Sequence, residues 1–246
     1  MRARQRRRRS HELDIIFEDD FVIVVNKPAG LLTVRLERNP GVGSVSELLE
    51  ERFRSRGKKR PFAVHRIDQD SSGLVMFAKD ARTQRALMDQ FRRREPERIY
   101  LGVVYGHPAP QGTWRDRLVW DRKALIQKVA RGGDPDAEEA ISDYRIVERL
   151  RGASLVEVRL HTGRRNQIRI QAALRGHPLV GERRYTATDP PRTIPFGRQA
   201  LHAWRLTFRH PQQGRDVALE APLPADFADL LSRLRPRTGG RHENRR

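Results

Sequence analysis

The sequence predicts an α+β domain with a largely antiparallel or mixed sheet, and three observations carry that prediction. Strand-like runs, many with alternating polarity, greatly outnumber helical patterns. Breaks at Arg151-Gly152 and Gln212-Gln213-Gly214 fall between neighbouring runs, as hairpins require. Gly41 and Gly43 lack the further glycine and the lysine of a phosphate-binding loop, so nothing marks a doubly wound nucleotide-binding sheet. With 246 residues, 37% of them hydrophobic, the chain can bury a folded core.

Taken in order, Arg2, Arg4 and Arg6 to Arg9 form a like-charge run that cannot bury apolar surface, so residues 1–12 are expected to be a disordered basic tail. Ile15-Ile16-Phe17 and Val22 to Val25 read as strands around a Glu18-Asp19-Asp20 turn, and Lys27-Pro28-Ala29-Gly30 ends the second. Ser44 and Glu47 form a capping box ahead of Leu48, Leu49 and Phe53 at helical spacing, with Gly57 as the stop. Leu74 to Ala78 is an apolar strand. Asp80 caps a helix with Ala81, Gln84, Leu87, Met88 and Phe91 on one face and Arg82, Arg85 and Arg92 to Arg94 on a polar one. Strand-like runs follow at 98–105, 116–120, 124–129, 141–149, 153–160, 201–208 and 215–219, and a helix over Asn166 to Arg175. Arg131 to Pro135 and Thr188 to Pro195 read as loops. Residues 13–234 are thus expected to form the domain, and 235–246 a second basic tail.

Composition narrows the partners. Fifty Lys+Arg against 31 Asp+Glu give a formal charge of +19, a field that attracts polyanions. Only six of the basic residues are lysines, and arginine favours planar, bidentate phosphate contacts, although a coding bias produces the same excess. The absence of cysteine excludes disulfides, a thiol nucleophile and Cys-ligated zinc. No apolar run approaches the ~20 residues of a membrane helix and no secretory signal is evident, so a cytoplasmic protein is expected. His65, His107, His161, His177, His202 and His210 show no metal-ligand spacing, and Ser71-Ser72-Gly73 lacks the pattern of a hydrolase nucleophile elbow.

The segment Pro61 to Asp80, PFAVHRIDQDSSGLVMFAKD, places Asp68 between Arg66 and a glycine turn that opens an apolar strand. On spacing alone Asp68 suits an Asx-turn as well as chemistry on an anchored loop. The string resembles the His-Arg-Leu-Asp, Thr-Ser-Gly-Leu signature of RluA-type RNA pseudouridine synthases, with Ile67 for Leu and Ser71 for Thr. Four more segments resemble that family in the same order: Asp14 to Thr33, Arg98 to Gly106 (RIYLGVVYG), Thr162 to Gly181 (TGRRNQIRIQAALRGHPLVG) and Leu201 to Pro211. Asn166 and Gln171 depart from it, since relatives commonly carry histidine at both places, and no segment resembles the small RNA-binding module that many relatives carry in front.

The resemblance implies the pseudouridine-synthase fold, a long mixed, mostly antiparallel sheet flanked by helices and loops with a basic catalytic cleft. It also implies a cofactor-free and metal-free isomerase acting on uridines in ribosomal RNA, transfer RNA or both, expected to work as a monomer. Asp68 is then the essential carboxylate, nucleophile or base. Arg169 pairs with it, lying four residues after Arg165 on one helix face, and Tyr100 stacks on the flipped uracil and offers its phenol for proton transfer. Arg66 either fills the space the uridine vacates or clamps a phosphate; His65 and Arg165 complete the expected substrate contacts. Trp114, Trp120 and Trp204 stack RNA bases or belong to the core. Arg2 to Arg9 and Arg233, Arg235, Arg237, Arg241, Arg245 and Arg246 are expected to be phosphate-binding tails. A catalytically dead RNA-binding relative is the competing expectation, weighed down by the retained Asp68, Tyr100 and Arg169. A nuclease or DNA-binding module is the weaker third.

Overall fold

The computed structural model describes residues 13–36, 42–55, 57, 60–186 and 194–236. β1 (Asp14–Glu18) and β2 (Val22–Lys27) form an antiparallel hairpin whose turn is closed by the Asp19 carboxylate, which accepts from the Phe21 and Val22 N–H groups at 2.8 and 2.7 Å. α1 (Val45–Arg54) starts at the predicted capping box: Ser44 Oγ accepts the Glu47 N–H and the Glu47 carboxylate accepts the Ser44 N–H. The short β3 (Phe62–Ala63) precedes β4 (Ser72–Ala78), and α2 (Ala81–Arg92) follows with Asp80 as its N-cap. The remaining strands are β5 (Glu97–Tyr105), β6 (Gln111–Asp121), β7 (Ile126–Val129), β8 (Glu138–Leu150), β9 (Ala153–Leu160), β10 (Leu201–Arg209) and β11 (Asp216–Glu220). α3 (Gln167–Leu174) lies between β9 and β10, and α4 (Ala225–Leu234) follows β11.

Among the described residues eleven strands join one sheet in the order β1-β2-β4-β10-β5-β9-β8-β6-β7, with β11 beside β10 and β3 beside β4. The pairings are antiparallel except β4 with β10. Strands β2 and β4 are apolar throughout because both faces are covered. Ile23, Val25, Val75 and Phe77 pack with Leu49 and Phe53 of α1, while Val22, Val24, Leu74 and Met76 pack with Leu87 of α2 and Phe208.

Several expectations are corrected. β6 begins at Gln111, five residues before the expected run, because it pairs along β8 from Gln111↔Arg145 onward. The buried face of α2 carries Thr83, Leu87 and Gln90, whereas Met88 is 40% exposed; Thr83 is spent on the Asp80 cap and Gln90 bridges to the Arg209 backbone. α4 was not expected, although Phe227, Leu230, Leu231 and Leu234 repeat at helical spacing and pack on Leu101, Val103 and Leu155. Arg233 and Arg235 are anchored to this body. Arg233 donates to the Pro195 carbonyl at 3.1 Å and Arg235 pairs with Glu148 at 3.0 Å. The tail positions 1–12 and 237–246, and residues 188–193 of the expected loop, lie outside the described residues. No helix of the described residues is long and apolar enough to cross a membrane.

The parallel contact of β4 with β10 spans two register pairs, His202↔Ser72 and Ala203↔Gly73. Gly73 sits at φ +111°, and a Cβ there would lie 2.2 Å from the Ala203 carbonyl oxygen. Gly73→Ala therefore adds a backbone clash to a conformation that L residues rarely adopt. A loss of about 2–5 kcal/mol in urea unfolding is expected; a midpoint equal to wild type would contradict this account of the seam.

Candidate active site

A cleft of about 650 Å3 opens beside that seam, between the loop entering β4, the start of β5 and the turn before α3. Its lining includes Arg66, Asp68, Arg98, Tyr100, Arg165 and Arg169. The Asp68 loop is pinned from behind. Thr33 Oγ1 donates to the Ile67 carbonyl and accepts the Ile67 N–H, at 3.1 and 3.2 Å. Lys27, with no exposed surface, donates its three ammonium hydrogens to the carbonyls of Pro28, Leu31 and Gln69 at 2.9, 2.7 and 2.8 Å. Burial lowers the Lys27 pKa to about 7, against the pull of Asp70 and Asp68, and the three carbonyls match the charged form.

The Asx-turn reading of Asp68 fails: among the described residues its carboxylate accepts no backbone N–H. Oδ2 instead accepts from Asn166 Nδ2 at 2.8 Å and Arg169 Nη1 at 3.2 Å, leaving Oδ1 without a partner among those residues. Asn166, one of the departures from the family pattern, thus makes a direct contact with the carboxylate; it sits at φ 53° as the N-cap of α3, so the expected helix start shifts to Gln167. Tyr185 donates its hydroxyl to Asn166 Oδ1 at 3.1 Å and accepts the Gln127 N–H at 2.9 Å, fixing the amide. Gln171, the other departure, faces away from Asp68 and bonds to Ser142, Asp116 and the Ala140 carbonyl.

Arg169 does pair with Asp68, but its larger commitment is to Glu182. Nε and Nη2 donate to the two Glu182 oxygens, both at 2.7 Å, in a bidentate fork. Glu182 has a side chain only 1% exposed and also accepts the N–H groups of Arg183 and Arg184 at 3.0 and 2.8 Å. Burial opposes both charges, yet the pairing outweighs it, raising the Arg169 pKa and lowering that of Glu182. Nothing in the sequence singled out Glu182 or Tyr185; the Gly181-Glu182 step following the Gly-His-Pro exit was the available signal.

Tyr100 projects from β5 into the cleft and is 9% exposed. Burial pushes its phenol up to about 12; Arg98 opposes the rise and Asp68 adds to it. His65 lies in the cleft wall, stacked on Phe91 with centroids 4.9 Å apart, and its Nε2 accepts the Met76 N–H at 3.2 Å. Burial, then Arg98, hold it neutral with a pKa near about 3, so His65 supports β4 and has no Nε2 lone pair left for a ligand. Arg66 and Arg165 are exposed on the cleft lining. Arg165 precedes the helix and stacks on Trp120 at 3.8 Å, so it does not share a helix face with Arg169. Trp114 belongs to the core, stacked on Tyr144, and Trp204 is covered by Arg205 at 3.6 Å.

Residues 21–174 match the RNA pseudouridylate synthase family. The chain is 38% identical over 240 residues to the uncharacterized RNA pseudouridine synthase YlyB of Bacillus subtilis, covering 91% of this chain and 73% of that one. It is 38% identical over 234 residues to the ribosomal large subunit pseudouridine synthase D of Xylella fastidiosa, covering 91% and 70%. The fold is that of human RNA pseudouridylate synthase domain containing 4, with a TM-score of 0.75 at 20% identity over 90% and 92% of the two chains. This chain belongs to the RNA pseudouridylate synthase family and is an RNA pseudouridine synthase, an isomerase with the fold its sequence motifs implied.

Removing Glu182 leaves Arg169 buried without its main counter-charge. Glu182→Ala is expected to cost about 3–5 kcal/mol. Because the folded-state pKa of Glu182 lies below its ordinary 4.5, its stabilisation is full above that pH and is lost as pH falls through the folded value. The variant's stability should therefore fall less steeply below pH ~4.5 than wild type's; parallel acid limbs in urea unfolding would contradict the pairing.

Proposed function

We infer that Asp68 is the reacting carboxylate and that the substrate is a uridine in large-subunit ribosomal RNA. The observation that carries the first part is the Asp68 carboxylate itself, which lines the cleft, is held through Oδ2 and, among the described residues, has no backbone N–H donor and no partner at Oδ1. The second part rests on the name of the Xylella fastidiosa relative.

The uridine leaves its stack to reach Asp68, at a cost of a few kcal/mol that is smallest in an unpaired loop. Arg66, exposed beside the carboxylate, fills the vacated space by stacking or holds a neighbouring phosphate, and Arg165 meets the backbone at the cleft lining. Asp68 acts as nucleophile or as the base of a glycal route. In either case the bond between N1 and the sugar breaks, the uracil turns while held, and carbon 5 bonds to the same sugar carbon. The proton on carbon 5 leaves and N1 gains one, so no external reagent is consumed. Arg169 and Asn166 orient the carboxylate, and Glu182 orients Arg169 in turn. Tyr100 stacks on the base; its phenol, pushed up to about 12 by burial, is the candidate acceptor of the carbon 5 proton. The protein is taken to act in the cytoplasm, as a monomer whose cleft residues Arg66, Asp68, Tyr100, Arg165 and Arg169 all come from one chain.

Two variants test these roles on ribosomal RNA in which pseudouridines have been mapped with and without the protein. Asp68→Asn should lower single-turnover product formation by about 10²- to 10⁴-fold while RNA affinity stays close to wild type. Near-normal product from that variant would remove Asp68 from the chemistry. Tyr100→Phe keeps the ring and should bind comparably, yet slow tritium release from carbon 5; in wild type that release should speed up with rising pH, and the substitution should remove the dependence. Release that is equally fast in the variant at every pH would leave Tyr100 with stacking alone.

A further inference from the structure

Arg98 is a cleft residue with no role in the scheme above. It lies on β5 two residues before Tyr100, and both line the cleft. Among the described residues its guanidinium makes no ion pair, and its buried Nε has no hydrogen-bond partner. Glu97, next to it on β5, is paired with Arg159, and Asp68 of the same cleft is paired with Arg169. The neighbours of Arg98 are the neutral ring of His65, the phenol of Tyr100 and the face of Phe91, 5.6 Å from the guanidinium carbon. A charge desolvated without a counter-charge is costly unless a ligand supplies one.

Gly163 makes room for this group. A Cβ on Gly163 would lie 2.5 Å from Arg98 Nη1, and its position between β9 and α3 puts it on the cleft lining opposite β5. A side chain at position 163 would press on the end of the Arg98 side chain, which would then have to shift. Arg66, Arg164 and Arg165 line the same cleft, so the ligand that completes Arg98 is an anion.

We propose that Arg98, seated against Gly163, is a binding residue for a phosphate adjoining the flipped uridine, so that base and backbone are gripped together from neighbouring positions of β5. It rests on the uridine reaching the Asp68 cleft. The subsite fixes how deeply the nucleotide enters, because a phosphate held at Arg98 limits the positions its base can take over Tyr100. Positional precision of this kind is what an isomerisation with a rotating base requires.

The test uses the full chain and short stem-loop RNAs carrying one loop uridine, with natural linkages or with a neutral methylphosphonate immediately 5′ or 3′ of that uridine. Wild type should lose about tenfold in affinity for one of the two neutral linkages. Arg98→Met should lose a similar factor with natural RNA and respond little to that same linkage, while Arg98→Lys recovers part of the difference. Gly163→Ala should behave as a weaker Arg98→Met. Thermal unfolding separates a ligand site from a packing role: removing an uncompensated charge should leave the Arg98→Met midpoint equal to or above wild type. Equal sensitivity of wild type and Arg98→Met to both neutral linkages, or a markedly lowered midpoint, would overturn the assignment. Conversion of the natural stem-loop to pseudouridine by wild type is scored separately; binding that depends on Arg98 and the linkage without any conversion would count against the Asp68 scheme and leave the subsite intact.

Discussion

The close approach of Gly73 to the Ala203 backbone is the constraint on which the rest of this structure depends. β4 belongs to the N-terminal strands and β10 to the C-terminal half of the sheet, and their parallel contact covers only two register pairs. Anything larger than glycine at the start of β4 would force the strands apart. Because Asp68 lies on the loop just before Gly73, and Tyr100 lies on β5 just beyond β10, the seam sets where the carboxylate sits relative to the aromatic ring. Their separation in the chain is bridged by one tight backbone contact.

A second restraint runs through the ion pairs. Glu182 takes two of the donors of Arg169 in a planar fork, and the remaining Nη1 reaches Asp68. The strong bidentate pair thus lies behind the site and the weaker single bond at its front. A guanidinium locked by the rear pair aims its front donor without having to grip the carboxylate on both oxygens. Asn166, itself fixed by Tyr185, supplies the second bond to the same oxygen. One face of Asp68 is therefore spent on orientation and the other is free to meet a substrate. Lys27 performs the corresponding task for the backbone, tying the Gln69 carbonyl to the Pro28 and Leu31 carbonyls so that the loop cannot drift from the sheet.

The fold and much of the cleft were legible because their residues are local in sequence or stand in compact motifs. The capping box at Ser44 and Glu47, the apolar run of β4 and the hairpin at Gly152 each follow from short-range chemistry, and each lies where expected. The motifs around Asp68, Arg169 and Tyr100 lie far apart in the chain, and folding brings those three side chains to one cleft. Glu182 and Tyr185 were not legible, because their meaning comes from partners that folding brings together and no spacing in the sequence encodes that meeting. His65 shows a task that its motif does not reveal: it lies in the cleft wall beside Asp68, and the pairing of β3 with β4 also sets its ring against a backbone N–H and Phe91. α4 did carry an apolar repeat, short and set beside a basic C-terminal stretch that drew attention to charge.

The balance of charge explains why such support is needed. Among the described residues the cleft lining carries seven arginines and a single carboxylate, Asp68. That excess suits a polyanionic substrate, but it also offers the carboxylate many competing cations, any of which could draw it out of line. Burial keeps His65 and Tyr100 neutral, so neither adds a further charge that Asp68 would have to accommodate. Arg165 is held on Trp120, and Arg164 is paired with Glu138, which leaves Arg169 as the arginine whose geometry is dictated from both sides. The basic field can then attract RNA at long range while one preset contact decides the direction in which the Asp68 carboxylate points.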